Sequence, residues 1–360
     1  MPLPSKRDRD ALRTRLAEWL ATQLPPDAKP DVSPLAIPEG NGLSSETLLF
    51  DATWTEDGER RAHALVARMS PDMTDWPTFP EYDLALQVDC LRIVRARSDV
   101  PVPEVAFFER SADVLGAPFF VMHRVDGVAP TDMPPYPFDG WLLAASAEER
   151  ARVERSSIGI LADLHAIEVD DELRRVLDRP RHGATALDQH LAYQRAYYEW
   201  AREGTRFPTI ERTFAWLEAH RPSDPGEAVL NWGDARIGNV LYRDFAPVAV
   251  LDWEMAALGP REVDLAWMVQ MNHFFQSLAE AVGVPGLPDF LTKERAIAIY
   301  EERTGHRVRD FDWYFVFGAL RFMIISTRTS ARAVAYGQME APASPDDLLI
   351  NRKQVEPYVG

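Results

Sequence analysis

The spacing of apolar residues changes character several times along the first third of the chain. Leu12, Leu16, Trp19 and Leu20 recur at helical intervals, which predicts an amphipathic helix over residues 8–24. Prolines 25, 26, 30 and 34 end it and predict a linker. The Gly-bearing stretch 37–45 then runs into 46–54, a predicted strand. Residues 61–69 are its expected partner across the Glu56-Asp57-Gly58 turn. A helix is expected over 81–97, stopped by Pro101 and Pro103. Residues 118–125 (PFFVMHRV) form the near-continuous apolar run of a buried strand, closed by an Asp126-Gly127 turn.

Beyond that turn the pattern is mainly helical over 141–220, with Ile160, Leu161 and Leu164 on one face. Short strands around a loop are expected over 228–254, and helices resume from Val263. The fold class is therefore α+β, with a β-rich first third and a helical remainder that meet near 122–127. We divide the chain into an N-terminal helix and linker (1–34), a β-rich lobe (35–125) and a larger helical lobe (126–360). A cleft between two lobes is where a ligand is expected.

Composition narrows the function. The 360 residues carry 39 Lys and Arg against 56 Asp and Glu, a net charge of −17. Nucleic acid and anionic membranes call for clustered cations, so neither is expected as a partner. The single cysteine, Cys90, cannot form an internal disulfide, and the charged start lacks a signal-type apolar segment. Both features fit a cytoplasmic protein. The apolar stretch 313–326 is interrupted by Arg321 and reads as a buried core helix. No Cys/His cluster suggests zinc, and neither a G-x-S-x-G nor a Walker A pattern occurs.

The chemistry concentrates in VLNWGDARIGNVLY (229–242) and VAVLDWE (248–254). Asp234 follows a short apolar strand, Asn239 lies five positions on, and Asp252 ends a later strand. Polar side chains at the ends of adjacent strands can converge. Phosphoryl transfer needs such a set: a carboxylate for the attacking hydroxyl, oxygen ligands for Mg²⁺ and a cation near the transferred phosphate. Asp234 can be the carboxylate, Asn239 and Asp252 the metal ligands, and Arg236 the cation. Upstream, the backbone and hydroxyls of Gly40, Gly42, Ser44 and Ser45 can face phosphates, because glycine allows close backbone approach.

These residues resemble the aminoglycoside phosphotransferase family, whose pattern is H-G-D-x-x-x-x-N followed by an I/L-D-W-E strand end. The similarity extends over roughly 35–340 and includes GAPFFVMHRVDG (116–127), LADLHAI (161–167) and GPREVDLA (259–266). It implies a two-lobed, protein-kinase-like fold and ATP-dependent transfer, with Mg²⁺, to a hydroxyl of a small molecule. It implies Asp234 as base, Asn239 and Asp252 as metal ligands, Arg236 in place of the kinase catalytic-loop lysine, and Asp264 as a buttress of the catalytic loop. The phosphate-binding cation of the first lobe corresponds to Arg68, with Gln87 or Asp89 in the region of its helix partner. Backbone groups of Met122, His123 and Arg124 would read the adenine edge. The branch with G-D-x-R-x-G-N-V-L also resembles kinase-like domains linked to acyl-CoA dehydrogenases, which sets acyl-bearing acceptors beside aminoglycosides. Trp232 replaces the motif's histidine, so packing is expected to hold the loop. The acceptor is expected on residues 265–340, near His273, Phe274, Phe275, Trp313, Tyr314 and Arg321. The alternative is a nucleotide-binding scaffold without turnover.

Overall fold

The computed structural model describes residues 8–37, 46–74 and 76–360. Helix α1 (Arg9–Gln23) opens on Asp8, whose carboxylate accepts the amide hydrogens of Asp10 and Ala11. That cap satisfies donors a helix start otherwise leaves open. Strands β1 (Asp31–Val32), β2 (Glu46–Glu56), β3 (Glu59–Met69), β4 (Val105–Glu109) and β5 (Phe119–His123) form an antiparallel sheet in the order β1-β2-β3-β5-β4. Helix α2 (Leu84–Arg97) lies between β3 and β4 in sequence. The β2–β3 turn is Asp57 and Gly58, with φ of 50° and 80°. Positive φ at both positions matches the twist of a two-residue hairpin.

The sheet's alternation decides which residues face the cleft. Leu48, Phe50, Leu65, Ala67, Met69, Phe119 and Val121 form one core with Leu12, Leu16, Trp19 and Leu20 of α1. Val66, Phe120 and Met122 face the opposite way, into the core shared with α2 and the helical half. Arg68 has the parity of Val66 and stands opposite Phe120 on β5, so period two directs it to that inner face. Strand β4 was not foreseen. All five of its residues are half-buried, so no alternation marks it, and its pairing is irregular between Val105 and Phe107.

The helical part runs through α3 (Trp141–Ala144), α4 (Ala147–Leu164), α5 (Asp171–Leu177), α6 (Ala186–Ala201) and α7 (Pro208–Ala219). Two small ribbons follow: β6 (Val229–Asn231) pairs with β9 (Ala257–Gly259), and β7 (Val240–Arg243) with β8 (Ala246–Val250). Then come α8 (Arg261–Ala281), α9 (Lys293–Thr304), α10 (Phe311–Ala335) and α11 (Glu356–Val359). Helix α10 is a core helix, as its apolar pattern predicts, with Trp313, Phe317, Leu320 and Ile324 buried. No helix among the described residues is long and apolar enough to cross a membrane.

The crossing from sheet to helices is tied to the candidate site. The amides of Val128 and Tyr242 each donate to the other's carbonyl at 2.9 Å, which fixes the segment after β5 to the strand after the catalytic loop. Gly127 is required there, since a Cβ would come within 2.9 Å of Val248 Cγ2 and 3.2 Å of the Tyr242 carbonyl.

Candidate active site

The loop between β6 and β7 carries the residues around Asp234. Its entry is held by Asp264 in the first turn of α8, whose buried carboxylate accepts the amide hydrogens of Trp232 (2.6 Å) and Gly233 (2.9 Å). Gly233 has φ of 90°, and a Cβ would lie 1.9 Å from the Met255 carbonyl. No other residue fits that approach. His165 of LADLHAI is buried behind Asp264, with its ring bonded to Tyr300 Oη at 2.6 Å. It is a core histidine, as its apolar setting predicts.

Trp232 does more than fill space. Its indole N–H donates to the carbonyls of Leu251 (2.8 Å) and Asp252 (3.2 Å). The loop is thereby tied by a directional bond to the strand end bearing Asp252, where packing alone was expected.

Both oxygens of Asp234 are engaged. Oδ1 accepts the indole N–H of Trp267 at 2.9 Å. Oδ2 accepts Asn239 Nδ2 at 2.7 Å and Arg236 Nε at 3.2 Å. Arg236 reaches further to Asp132 Oδ2 through Nη1, at 2.5 Å. Burial works against the Arg236 charge, but the carboxylates of Asp234 and Asp132 outweigh it and hold the guanidinium protonated beyond its ordinary range. Gly238 leaves room for this pair, because a Cβ would sit 2.6 Å from Arg236 Nη1. Neither Trp267 nor Asp132 was singled out in the sequence. Trp267 lies three residues after Asp264, one turn along the same helix face, which is the signal that could have found it.

Asp252 follows β8 in a left-handed conformation, φ 57°. Its Oδ1 pairs with Arg68 Nη2 at 2.6 Å. Burial disfavours the Arg68 charge, but Asp252 and Glu254 more than offset it. The Asn239 carbonyl accepts the Leu251 amide at 2.9 Å, which sets Asn239 beside the approach to Asp252. With Nδ2 of Asn239 committed to Asp234, its side-chain oxygen remains for a ligand. Among the described residues no group of three or more His, Cys, Asp or Glu side chains is placed to hold a metal ion. Two hard oxygen donors, from Asn239 and Asp252, fit Mg²⁺, which usually takes one or two protein groups and completes its shell with phosphate and water.

Other expected site residues fare differently. Gly40, Gly42, Ser44 and Ser45 lie outside the described residues. On α2, Gln87 is buried toward the core and Asp89 is half-buried, and the ion partner observed for Arg68 is Asp252. Met122, His123 and Arg124 stand at the end of β5, but the amides of His123 and Arg124 already donate to the carbonyls of Glu104 (2.9 Å) and Ala64 (2.8 Å). These two amides are thus committed to backbone partners. Phe274, Trp313 and Tyr314 are core residues, and exposed His273 is bonded to Gln354. A pocket opens instead between α6, the segment after Asp252 and the approach to α2. It is lined by Phe79, Tyr82, Tyr193, Gln194, Glu254 and Arg321, among others. Of the expected acceptor stretch only Arg321 contributes.

Comparison with known proteins now identifies the arrangement. The model of the phosphotransferase enzyme family matches residues 49–290, two thirds of the chain. The chain belongs to that family. Acyl-CoA dehydrogenase family member 11 of Rattus norvegicus is 25% identical over 268 residues, covering 71% of this chain and 32% of the relative. The chain thus spans about a third or less of the first curated relatives it matches. The GDP and kanamycin complex of APH(2″)-IIia superposes with a TM-score of 0.60 at 15% identity, covering 95% of this chain and 99% of that one. An ADP and hygromycin B complex of a thermostable mutant of aminoglycoside phosphotransferase APH(4)-Ia gives 0.56 at 14%, with 96% and 99% covered. The fold is the two-lobed, kinase-like α+β fold of the aminoglycoside phosphotransferases.

Proposed function

We propose that this phosphotransferase is a small-molecule kinase that transfers the γ-phosphoryl group of ATP to a hydroxyl. The observation that carries the reading is the set built on one loop: Asp234 bonded to Asn239 and Arg236, beside an Asp252 tied to Arg68. Asp234 orients the acceptor hydroxyl and takes its proton as the new O–P bond forms and the bond to the β-phosphate breaks, releasing ADP. Arg236, whose Nε and Nη1 are held by carboxylates, offers Nη2 to the charge developing on the phosphoryl oxygens. Arg68 faces the cleft and supplies positive charge to the phosphates. Asn239 and Asp252 would hold Mg²⁺, which when bound neutralises phosphate charge. The adenine edge is read just beyond β5, by Val125 and Asp126, whose amides the sheet does not use.

The acceptor occupies the pocket between α6 and the segment after Asp252. Its walls carry four aromatic rings, Phe79, Tyr82, Tyr193 and Tyr197, and its charged lining balances two arginines, Arg179 and Arg321, against two glutamates, Glu81 and Glu254. A polycationic aminoglycoside calls for an excess of carboxylates. This lining favours an acceptor with an apolar or acyl body. The test is a labelled-ATP screen of aminoglycosides, macrolides, hydroxyacyl-CoAs and choline-like alcohols. Label transfer to a compound with an apolar or acyl body is the expected result. Efficient kanamycin phosphorylation would overturn the acceptor class, and ATP binding without consumption of ATP would favour the scaffold alternative.

A further inference from the structure

Helix α8 touches the catalytic loop twice from one face. Asp264 receives the loop's backbone amides, and one turn later Trp267 gives its indole N–H to Asp234 Oδ1 at 2.9 Å. Trp267 is buried, and two side chains meet its ring. The guanidinium of Arg321 lies 4.4 Å from the ring centroid, and Phe322 meets it edge-on at 6.4 Å. Arg321 also donates through Nη2 to the Gly233 carbonyl at 2.8 Å, so it holds the indole and the residue before Asp234 together. The two oxygens of Asp234 therefore have different partners. Oδ2 faces the amide and cation of its own loop, and Oδ1 faces a neutral donor from a rigid helix.

We propose that Trp267 is a positioning residue for phosphoryl transfer: its indole N–H, clamped by Arg321, sets the rotation of the Asp234 carboxylate. The proposal rests on Asp234 being the base. An indole N–H is one donor at one angle, so it fixes the plane of the carboxylate without adding a charge that would compete with Arg236. Phenylalanine at this position keeps the ring and its contact with Arg321 and removes only the donor.

The experiment uses MgATP with water as the acceptor, so the natural substrate is not needed. Trp267→Phe is expected to lower hydrolysis by roughly 10- to 100-fold, the range for losing a hydrogen bond to a charged group. ATP affinity should stay unchanged. Asp234→Asn is measured alongside. If Asp234→Asn hydrolyses ATP as well as the wild type, the reading of Asp234 as base fails. If Asp234→Asn is inactive while Trp267→Phe keeps the wild-type rate, the positioning proposal alone fails. A second readout does not depend on turnover. In protein labelled with ¹⁵N-tryptophan, the indole resonance that disappears in Trp267→Phe should shift in Asp234→Asn. An indole signal indifferent to that substitution overturns the proposal.

Discussion

The two carboxylates of the cleft are held in opposite ways. Asp234 lies within the helical lobe, and three donors from the loop and α8 meet its oxygens. Asp252 stands on a left-handed residue at a strand end, and its ion partner, Arg68, comes from the sheet across the cleft. The first arrangement fixes the carboxylate before any ligand arrives, which suits the proton acceptor proposed for it. The second ties the lobes through one ion pair whose members can both turn to phosphate and metal. An unusual backbone conformation at such a point is a common mark of a functional residue.

Breaking the Asp252 side of this comparison should have the largest effect. Asp252→Ala is expected to abolish Mg²⁺-dependent ATP binding, weakening affinity by more than ~100-fold, since even partners of a metal ligand are worth roughly 10- to 100-fold. Calorimetric ATP titrations with and without Mg²⁺ check this. An unchanged metal dependence would make Asp252 a structural residue. Next is Arg68→Ala, expected to weaken ATP binding by roughly 10-fold, with Arg68→Lys recovering part because it keeps the charge and loses the fork. Equal affinities in all three proteins would remove Arg68 from the phosphate site.

The smallest effect concerns the base of the catalytic loop. His190 on α6 is buried, and burial, aided by the charge of Arg321, lowers its pKa from 6.5 to about 4. The folded protein keeps this ring neutral while the unfolded chain takes up a proton below pH 6.5. The unfolded state therefore binds more protons between these values, and stability falls as pH drops. From pH 7 to 5 the loss is on the order of 2 kcal/mol. Urea midpoints at the two pH values should show it, and His190→Gln should remove most of that dependence. An equal acid loss in the variant would assign the effect to other groups.

How much was readable follows from the range of each interaction. The hairpin and the strand–loop–strand segment around Asp234 rest on neighbours in sequence and on period-two patterns, whereas Arg68 and Asp264 were marked by the resemblance to the aminoglycoside phosphotransferases. Trp267 and Asp132 reach the loop from 33 and 104 positions away; Trp267 has one local mark, its place a helical turn after Asp264, and Asp132 has none. Composition marks β5 as a strand but does not say which of its last amides the neighbouring chain uses: His123 donates to Glu104 and Arg124 to Ala64 of β3. The aromatic residues expected beside an acceptor went largely to the core, because an aromatic-rich helix serves a core as readily as a pocket. In Trp313 and Tyr314 the core took the rings, and the open aromatic wall formed on α6.

The account depends most on Asp234 acting on the acceptor and not on the nucleotide. The direct measurement is steady-state phosphoryl transfer from MgATP by Asp234→Asn, paired with ATP affinity determined by calorimetry. The expected result is a 10²–10⁴-fold loss of turnover, the usual contribution of a general base, with ATP bound as tightly as by the wild type. Turnover at the wild-type rate would contradict the account.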